Sequence, residues 1–140
     1  MAAATSLQWM GDLPARSRTF SAENTIRGVE RSTPRPDNGT DRNPEQLIAA
    51  AHASCFSIAL STILSRSGCP SHTVQTQATV TLGSVDGAPT ITRIALVTVG
   101  QVPGMDELAF AELALAAKIR CSVSRALAGV PEISLRASLI

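Results

Sequence analysis

The run from Leu47 to Leu64, LIAAAHASCFSIALSTIL, constrains this chain more than any other segment. Read as a helix, it places apolar residues on nearly every face, with three consecutive alanines at 49–51. A helix that is apolar all round is a buried one and needs several other elements to cover it. Its ends are marked. Asn43 suits the N-cap, Pro44 the first helical position, and Gln46 a capping-box-like arrangement. Gly68 and Pro70 stop it near Ser67. His52, Ser54, Ser57, Ser61 and Thr62 interrupt the apolar run, so the segment reads as a core helix rather than a membrane span.

The remaining segments must supply that cover. Residues 5–11 and 17–26 are short, partly alternating and separated by Gly11-Asp12-Leu13-Pro14, which predicts a hairpin. Residues 27–42, with Thr33-Pro34-Arg35-Pro36-Asp37-Asn38-Gly39, read as a loop, and loops on a rigid scaffold often carry functional side chains. Val74, Thr76, Ala78, Val80 and Leu82 alternate with other residues, Asp86-Gly87 marks a turn, and residues 90–102 return as a strand. A helix over 105–119 follows, with Leu108, Leu115 and Ile119 as its apolar side. A short helix near 122–128 and an alternating strand through Ile133, Leu135, Ala137 and Leu139 end the chain. The pattern is a single α+β domain over 1–140, with antiparallel sheet around one central helix. The chain is only 3% aromatic and has no Tyr, so its core is built from Ala, Leu, Ile and Val. Such a core favours burying further surface against a second copy.

The composition also excludes several function classes. With 44% apolar residues and a mean hydropathy of +0.16, a wholly disordered chain is ruled out. The net charge is +1 and the basic residues are scattered, which is not the footprint of a nucleic-acid binder. The first residues show neither a basic start nor an apolar h-region, so the expectation is a cytoplasmic protein with no membrane partner. Three cysteines, an odd number, argue for reduced thiols rather than a disulfide framework. His52 and Cys55 have helical i, i+3 spacing, but without a CxxC or a carboxylate cluster they do not make a metal site. Neither metal nor cofactor is expected.

Among the thiols, Cys55 lies in the buried helix, where a cysteine is commonly a small apolar filler. Cys121, in Ile119-Arg120-Cys121-Ser122-Val123-Ser124, stands between two helices. If it begins the second, the positive helix end favours its thiolate. Cys69, between Gly68 and Pro70, reads as a semi-exposed bystander. Composition alone leaves open whether any two of these thiols pair.

Residues 43–57, NPEQLIAAAHASCFS, resemble the signature helix of the osmotically inducible protein C (OsmC) family, and Cys121-Ser122-Val123-Ser124 after Ala116-Ala117-Lys118 resembles its second-cysteine motif. Trp9 and Val130-Pro131-Glu132-Ile133-Ser134-Leu135 also fit, so the likeness runs over about residues 7–139. The resemblance implies an OsmC-like fold, an intertwined homodimer, and a thiol-dependent reductase of organic hydroperoxides and hydrogen peroxide. Cys55 matches the peroxidatic cysteine and Cys121 the resolving one. Arg35 matches the active-site arginine and Glu45 its glutamate partner, while Arg16, Arg18 and Arg31 lack the matching spacing. An external dithiol, such as a lipoyl-bearing protein, is the implied reductant. Ser122 departs from the family, which usually has Pro there; the loss loosens the helix start and bears on the resolving step.

The chemistry of the residues agrees with these roles. A buried thiol is mostly protonated at neutral pH, so a nucleophilic Cys55 needs a nearby cation, and Arg35, held by Glu45, is the expected one. Glu45 and Cys55 are ten residues apart on one helix, about 15 Å, too far to meet. The expectation is therefore that Arg35 and Glu45 of one subunit serve Cys55 of the other. Phe56, Ile58 and Met105 are candidates for an alkyl-binding pocket, with core packing as the alternative. A redox sensor, or a protein that binds a lipid-like ligand and uses the same disulfide as a switch, is the competing reading.

Overall fold

The computed structural model describes residues 44–140 in full and the backbone of Ala2–Ala3, Leu7–Met10 and Thr19–Ala22. The described chain is organised by α1 (Pro44–Arg66), a helix of 23 residues. Ala49, Ala53, Phe56, Leu60 and Leu64 recur every three or four residues along it and are completely buried. Length and composition would let α1 cross a membrane, but this stripe makes it a core helix. Its end has the hydrogen bonds of a Schellman motif. The Cys69 N–H donates to the Leu64 carbonyl at 3.1 Å and the Gly68 N–H to the Ser65 carbonyl at 3.2 Å.

The helix packs on the strand β4 (Thr73–Val85), which pairs antiparallel with β5 (Ala88–Gln101). Asp86 and Gly87 form the two-residue turn between them with φ of 52° and 77°. Positive φ at both central residues matches the twist of the strands, which is why Asp-Gly is favoured there. Val74, Ala78 and Val80 of β4 and Ile94 and Leu96 of β5 are buried in the core with α1. Two polar positions of the same sheet are buried as well. Thr76 and Thr98 face each other across the ladder, and a directed chain runs from Ser57 of α1 to Thr76 at 2.7 Å, on to Thr98 at 3.0 Å, and to the Gln75 carbonyl at 3.2 Å. Each hydroxyl in it donates once, so the helix is tied to both strands without stranding a polar group.

Two further helices, α2 (Glu107–Arg120) and α3 (Ser122–Ala126), lead to the last strand, β6 (Glu132–Leu139). Asp106 caps α2, accepting from the Ala109 N–H at 2.8 Å. Here the fold differs from the sequence expectation. β6 pairs with β5 in parallel, from Arg93 opposite Glu132 to Gly100 opposite Leu139. The sheet is therefore mixed rather than antiparallel. Parallel neighbours need a crossover, and α2 with α3 carries the chain back along the sheet to provide it. The short β1 (Ala2–Ala3) completes the order β1-β4-β5-β6, while β2 (Leu7–Met10) and β3 (Thr19–Ala22) form a separate antiparallel hairpin, as expected. The hairpin's β2 lies beside α1 and β4.

The apolar side expected for α2 is also corrected. Leu108, Leu115 and Ile119 are exposed, whereas Phe110, Ala114 and Ala117 on the opposite face are buried. Phe110 decides this. A Cβ added at Gly100 would stand 2.6 Å from its ring, so the missing side chain is the notch into which the ring fits. Nor is α1 covered on every face within one protomer, since Leu47 and Ala51 are exposed.

Candidate active site

Cys55 occupies the middle of α1, on the side turned toward the junction of α2 and α3. Its Sγ lies 3.3 Å from the Ser122 Oγ. The Cys121 thiol is within hydrogen-bonding reach of it, and the backbone N–H groups of Ser122 and Val123 face the same sulfur. Both cysteines are free thiols. Cys55 is half-buried, whereas Cys121 is 1% exposed.

Local structure explains why Cys121 stands there. It closes α2 and opens α3, with extended backbone at φ −60° and ψ 121°. Its N–H donates to the Ala117 carbonyl at 2.8 Å, and its carbonyl accepts from the Arg125 N–H at 3.0 Å. Bound to a helix on either side, the residue has little freedom.

The two thiols are tuned in opposite directions. Burial pushes the Cys55 thiol up, but the Ser122 hydroxyl, the Val123 N–H, the Cys121 thiol and the Ser122 N–H more than offset it, and the net shift is downward. Burial also raises Cys121; its neighbour Cys55 adds to that, and two hydrogen bonds from Ser124 do not reverse it. The start of α3 favours the Cys121 thiolate, as expected, through the Ser124 N–H, but burial outweighs it. The amides of Ser122 and Val123 serve Cys55, and the cost of burying Cys121 dominates its own titration.

Behind this pair, His52 lies one turn before Cys55 and is fully buried. Its Nε2 is 2.7 Å from the Ser124 Oγ, and Ser124 hydrogen-bonds Cys121. The network assigns the ring proton to Nε2, which donates to Ser124 while Ser124 donates to the sulfur. The opposite tautomer would bury an N–H at Nδ1, which has no partner among the described residues. Burial, with the charge of Lys118 in addition, lowers the His52 pKa from 6.5 to about 4, so the ring is neutral around physiological pH.

The structure thus brings together two of the four site residues expected from sequence, Cys55 and Cys121. Glu45 is buried in the first turn of α1. Arg35 lies outside the described residues, as does the loop that carries it. Cys69 follows the C-terminal end of α1, which lies about 16 Å along the helix axis from Cys55, and this removes it from the pair. Phe56, a pocket candidate, is completely buried and belongs to the core; Met105 is half-buried against it, and Ile58 is half-buried. Sequence reasoning missed Ser124 and the contribution of Ser122. Ser122 was noticed only for the proline it replaces, although a hydroxyl next to a reactive cysteine was itself a usable signal.

The comparisons with known proteins agree with this geometry. Peroxiredoxin OsmC of Escherichia coli (strain K12) is 40% identical over 124 residues, covering 85% of each chain. Among solved structures, the fold is similar to that of an organic hydroperoxide resistance protein OsmC from Legionella pneumophila, with a TM-score of 0.64, 21% identity, and 94% of this chain and 95% of that one covered. It is also similar to the organic hydroperoxide resistance protein OhrB of Bacillus subtilis, with a TM-score of 0.58, 23% identity, and 95% and 97% covered. A family model described as OsmC-like protein matches residues 37–136, and with the identity to the E. coli protein it shows that this chain belongs to the OsmC family.

Proposed function

We propose that this chain is a thiol peroxidase that reduces organic hydroperoxides and hydrogen peroxide, with Cys55 as the peroxidatic and Cys121 as the resolving cysteine. The supporting observation is the pair of adjacent thiols with opposed tuning: a half-buried Cys55 shifted toward thiolate and a buried Cys121 held as thiol. The thiolate is the nucleophile. Its sulfur attacks the distal peroxide oxygen, the O–O bond breaks, and the departing alkoxide takes a proton to leave as alcohol. Cys55 is then a sulfenic acid. The Cys121 sulfur forms an S–S bond to Cys55 as the S–O bond breaks, and the Cys121 proton leaves with the hydroxide as water. An external dithiol, for which a lipoyl-bearing protein is the candidate, reduces the disulfide by exchange and becomes a disulfide itself.

The finer features of the reading concern assembly and place. A single OsmC-like domain over 1–140 forms an intertwined homodimer, in which Arg35 and Glu45 of one subunit serve Cys55 of the other. Two observations support this: Glu45 and Cys55 are separated along one helix, and Leu47 of α1 is left 45% exposed in one protomer. Arg35 would steady the breaking O–O bond by donating to its oxygens. Three free thiols suit a reducing, cytoplasmic setting.

The test is dithiol-supported consumption of cumene hydroperoxide and of hydrogen peroxide by the wild type, Cys55→Ser and Cys121→Ser. Sustained wild-type turnover, abolished in Cys55→Ser and stalled after oxidation in Cys121→Ser, is expected. Consumption of a single equivalent despite an effective dithiol would overturn the enzyme reading in favour of a sensor or binding protein.

A further inference from the structure

One contact at the site is not needed by the fold. Ser122 is exposed, begins the short α3 and belongs to no part of the core, yet its Oγ is 3.3 Å from the Cys55 Sγ. As a neutral pair, either atom could donate. Once Cys55 is ionised only one direction remains, because a thiolate has no proton and the hydroxyl must donate. The backbone N–H of Ser122 faces the same sulfur, so this residue supplies two of the donors around Cys55. Both are held in place by the neighbouring Cys121, whose backbone is bound into α2 and α3 on either side.

We infer that Ser122 is a catalytic residue, whose hydroxyl and backbone N–H together hold the Cys55 sulfur as a thiolate in the orientation from which it attacks peroxide. The inference rests on Cys55 being the peroxidatic cysteine and adds a residue to that reaction. A donor placed on an anion is shorter and stronger than a neutral hydrogen bond. The downward shift of Cys55 against its own burial is consistent with such donors. Among the described residues, the other titratable groups near Cys55 are Cys121 at the α2–α3 junction, whose thiol lowers the Cys55 pKa while Cys55 raises that of Cys121, and His52 on α1. His52 is neutral around physiological pH and feels Lys118 of α2. Among the described residues neither the neutral imidazole nor the un-ionised Cys121 is a cation, and the Ser122 donors act on the sulfur in addition to the charge proposed for Arg35. A proline at this position would remove the hydroxyl and the N–H together while remaining compatible with the first turn of a helix. Alanine would remove the hydroxyl alone, and threonine would keep both.

The experiment measures Cys55 directly. Reduced wild type, Ser122→Ala, Ser122→Pro and Ser122→Thr are alkylated with iodoacetamide across a pH series, and modification of the Cys55 peptide is followed by mass spectrometry. The rate of Cys55 oxidation by cumene hydroperoxide is measured beside it. The expected midpoint moves up by about one pH unit in Ser122→Ala, which is about tenfold less thiolate at a pH below both midpoints. Oxidation slows in proportion. Ser122→Pro moves further in the same direction, Ser122→Thr stays with the wild type, and all four proteins unfold at similar temperatures. A Ser122→Ala midpoint equal to the wild-type value would overturn the inference. So would a Ser122→Thr midpoint displaced as far as that of alanine, since packing rather than donation would then be responsible. Because the Ser122 comparison needs no peroxide, its result is separate from the peroxidatic assignment, which fails if Cys55→Ser retains turnover.

Discussion

Acidification should expose the cost of burying His52. The ring is fully buried, and its pKa falls from 6.5 to about 4 in the folded protein, first through burial and then through the charge of Lys118. Between those two values the unfolded chain binds a proton that the folded chain does not, so stability rises with pH across that window and is lost as pH falls through it. The difference of about 2.5 units, at 1.36 kcal/mol each, is worth about 3 kcal/mol once the pH is below both values. For a domain whose whole stability is typically about 5–15 kcal/mol, that is a large share. The assay is urea unfolding of the reduced wild type and His52→Asn at a series of pH values from about 7 to about 4. Asparagine keeps a donor for the Ser124 hydroxyl and does not titrate, while every carboxylate titrates equally in both proteins. The wild type is expected to lose about 3 kcal/mol more than the variant over this range, with a steepest slope of about 1.4 kcal/mol per pH unit. The variant's lower stability at neutral pH is immaterial, because the test is the difference in slope. Parallel curves would refute the claim that the folded protein holds His52 neutral.

Three further outcomes follow from the packing and the thiols. Gly100→Ala drives a Cβ to 2.6 Å from the Phe110 ring and should lower stability by about 1–3 kcal/mol; thermal unfolding measures it, and adding Phe110→Leu should restore part of the loss. Thr98→Val leaves the Thr76 hydroxyl without the acceptor it has at 3.0 Å and should cost about 1–3 kcal/mol in urea unfolding, whereas an unchanged midpoint would dismiss the buried hydroxyl chain as a stabilising feature. In the reduced protein near neutral pH, iodoacetamide should modify Cys55 well before Cys121, because Cys55 is shifted toward thiolate and Cys121 away from it. Quantitative peptide mapping reads the order, and earlier labelling of Cys121 would reverse the proposed roles.

Much of this protein was legible residue by residue. The limits of α1, the Asp86-Gly87 hairpin and the paired hairpin near the N-terminus all rest on signals within a few positions of the residues concerned. Capping chemistry, turn φ values and the alternation of a strand are local properties, so a sequence expresses them directly. The resemblance to the OsmC family added the roles of the two cysteines, because their motifs stand in the matching order.

Other features were decided only by tertiary structure. The alternation of Ile133, Leu135, Ala137 and Leu139 announces a strand but not its direction. The parallel pairing with β5 follows from the crossover through α2 and α3, a consequence of where those helices lie on the sheet. Both faces of α2 carry apolar residues, and hydrophobicity favours the larger Leu108, Leu115 and Ile119. The smaller face is buried because Gly100 leaves room for Phe110, a fit between elements that no pattern within one helix contains. The same holds at the site. Sequence could name Cys55 and note an unusual Ser122, but these residues are 67 positions apart. Whether a hydroxyl stabilises a thiolate depends on a few ångströms and on the direction of an O–H, which are set when two helices pack and not before.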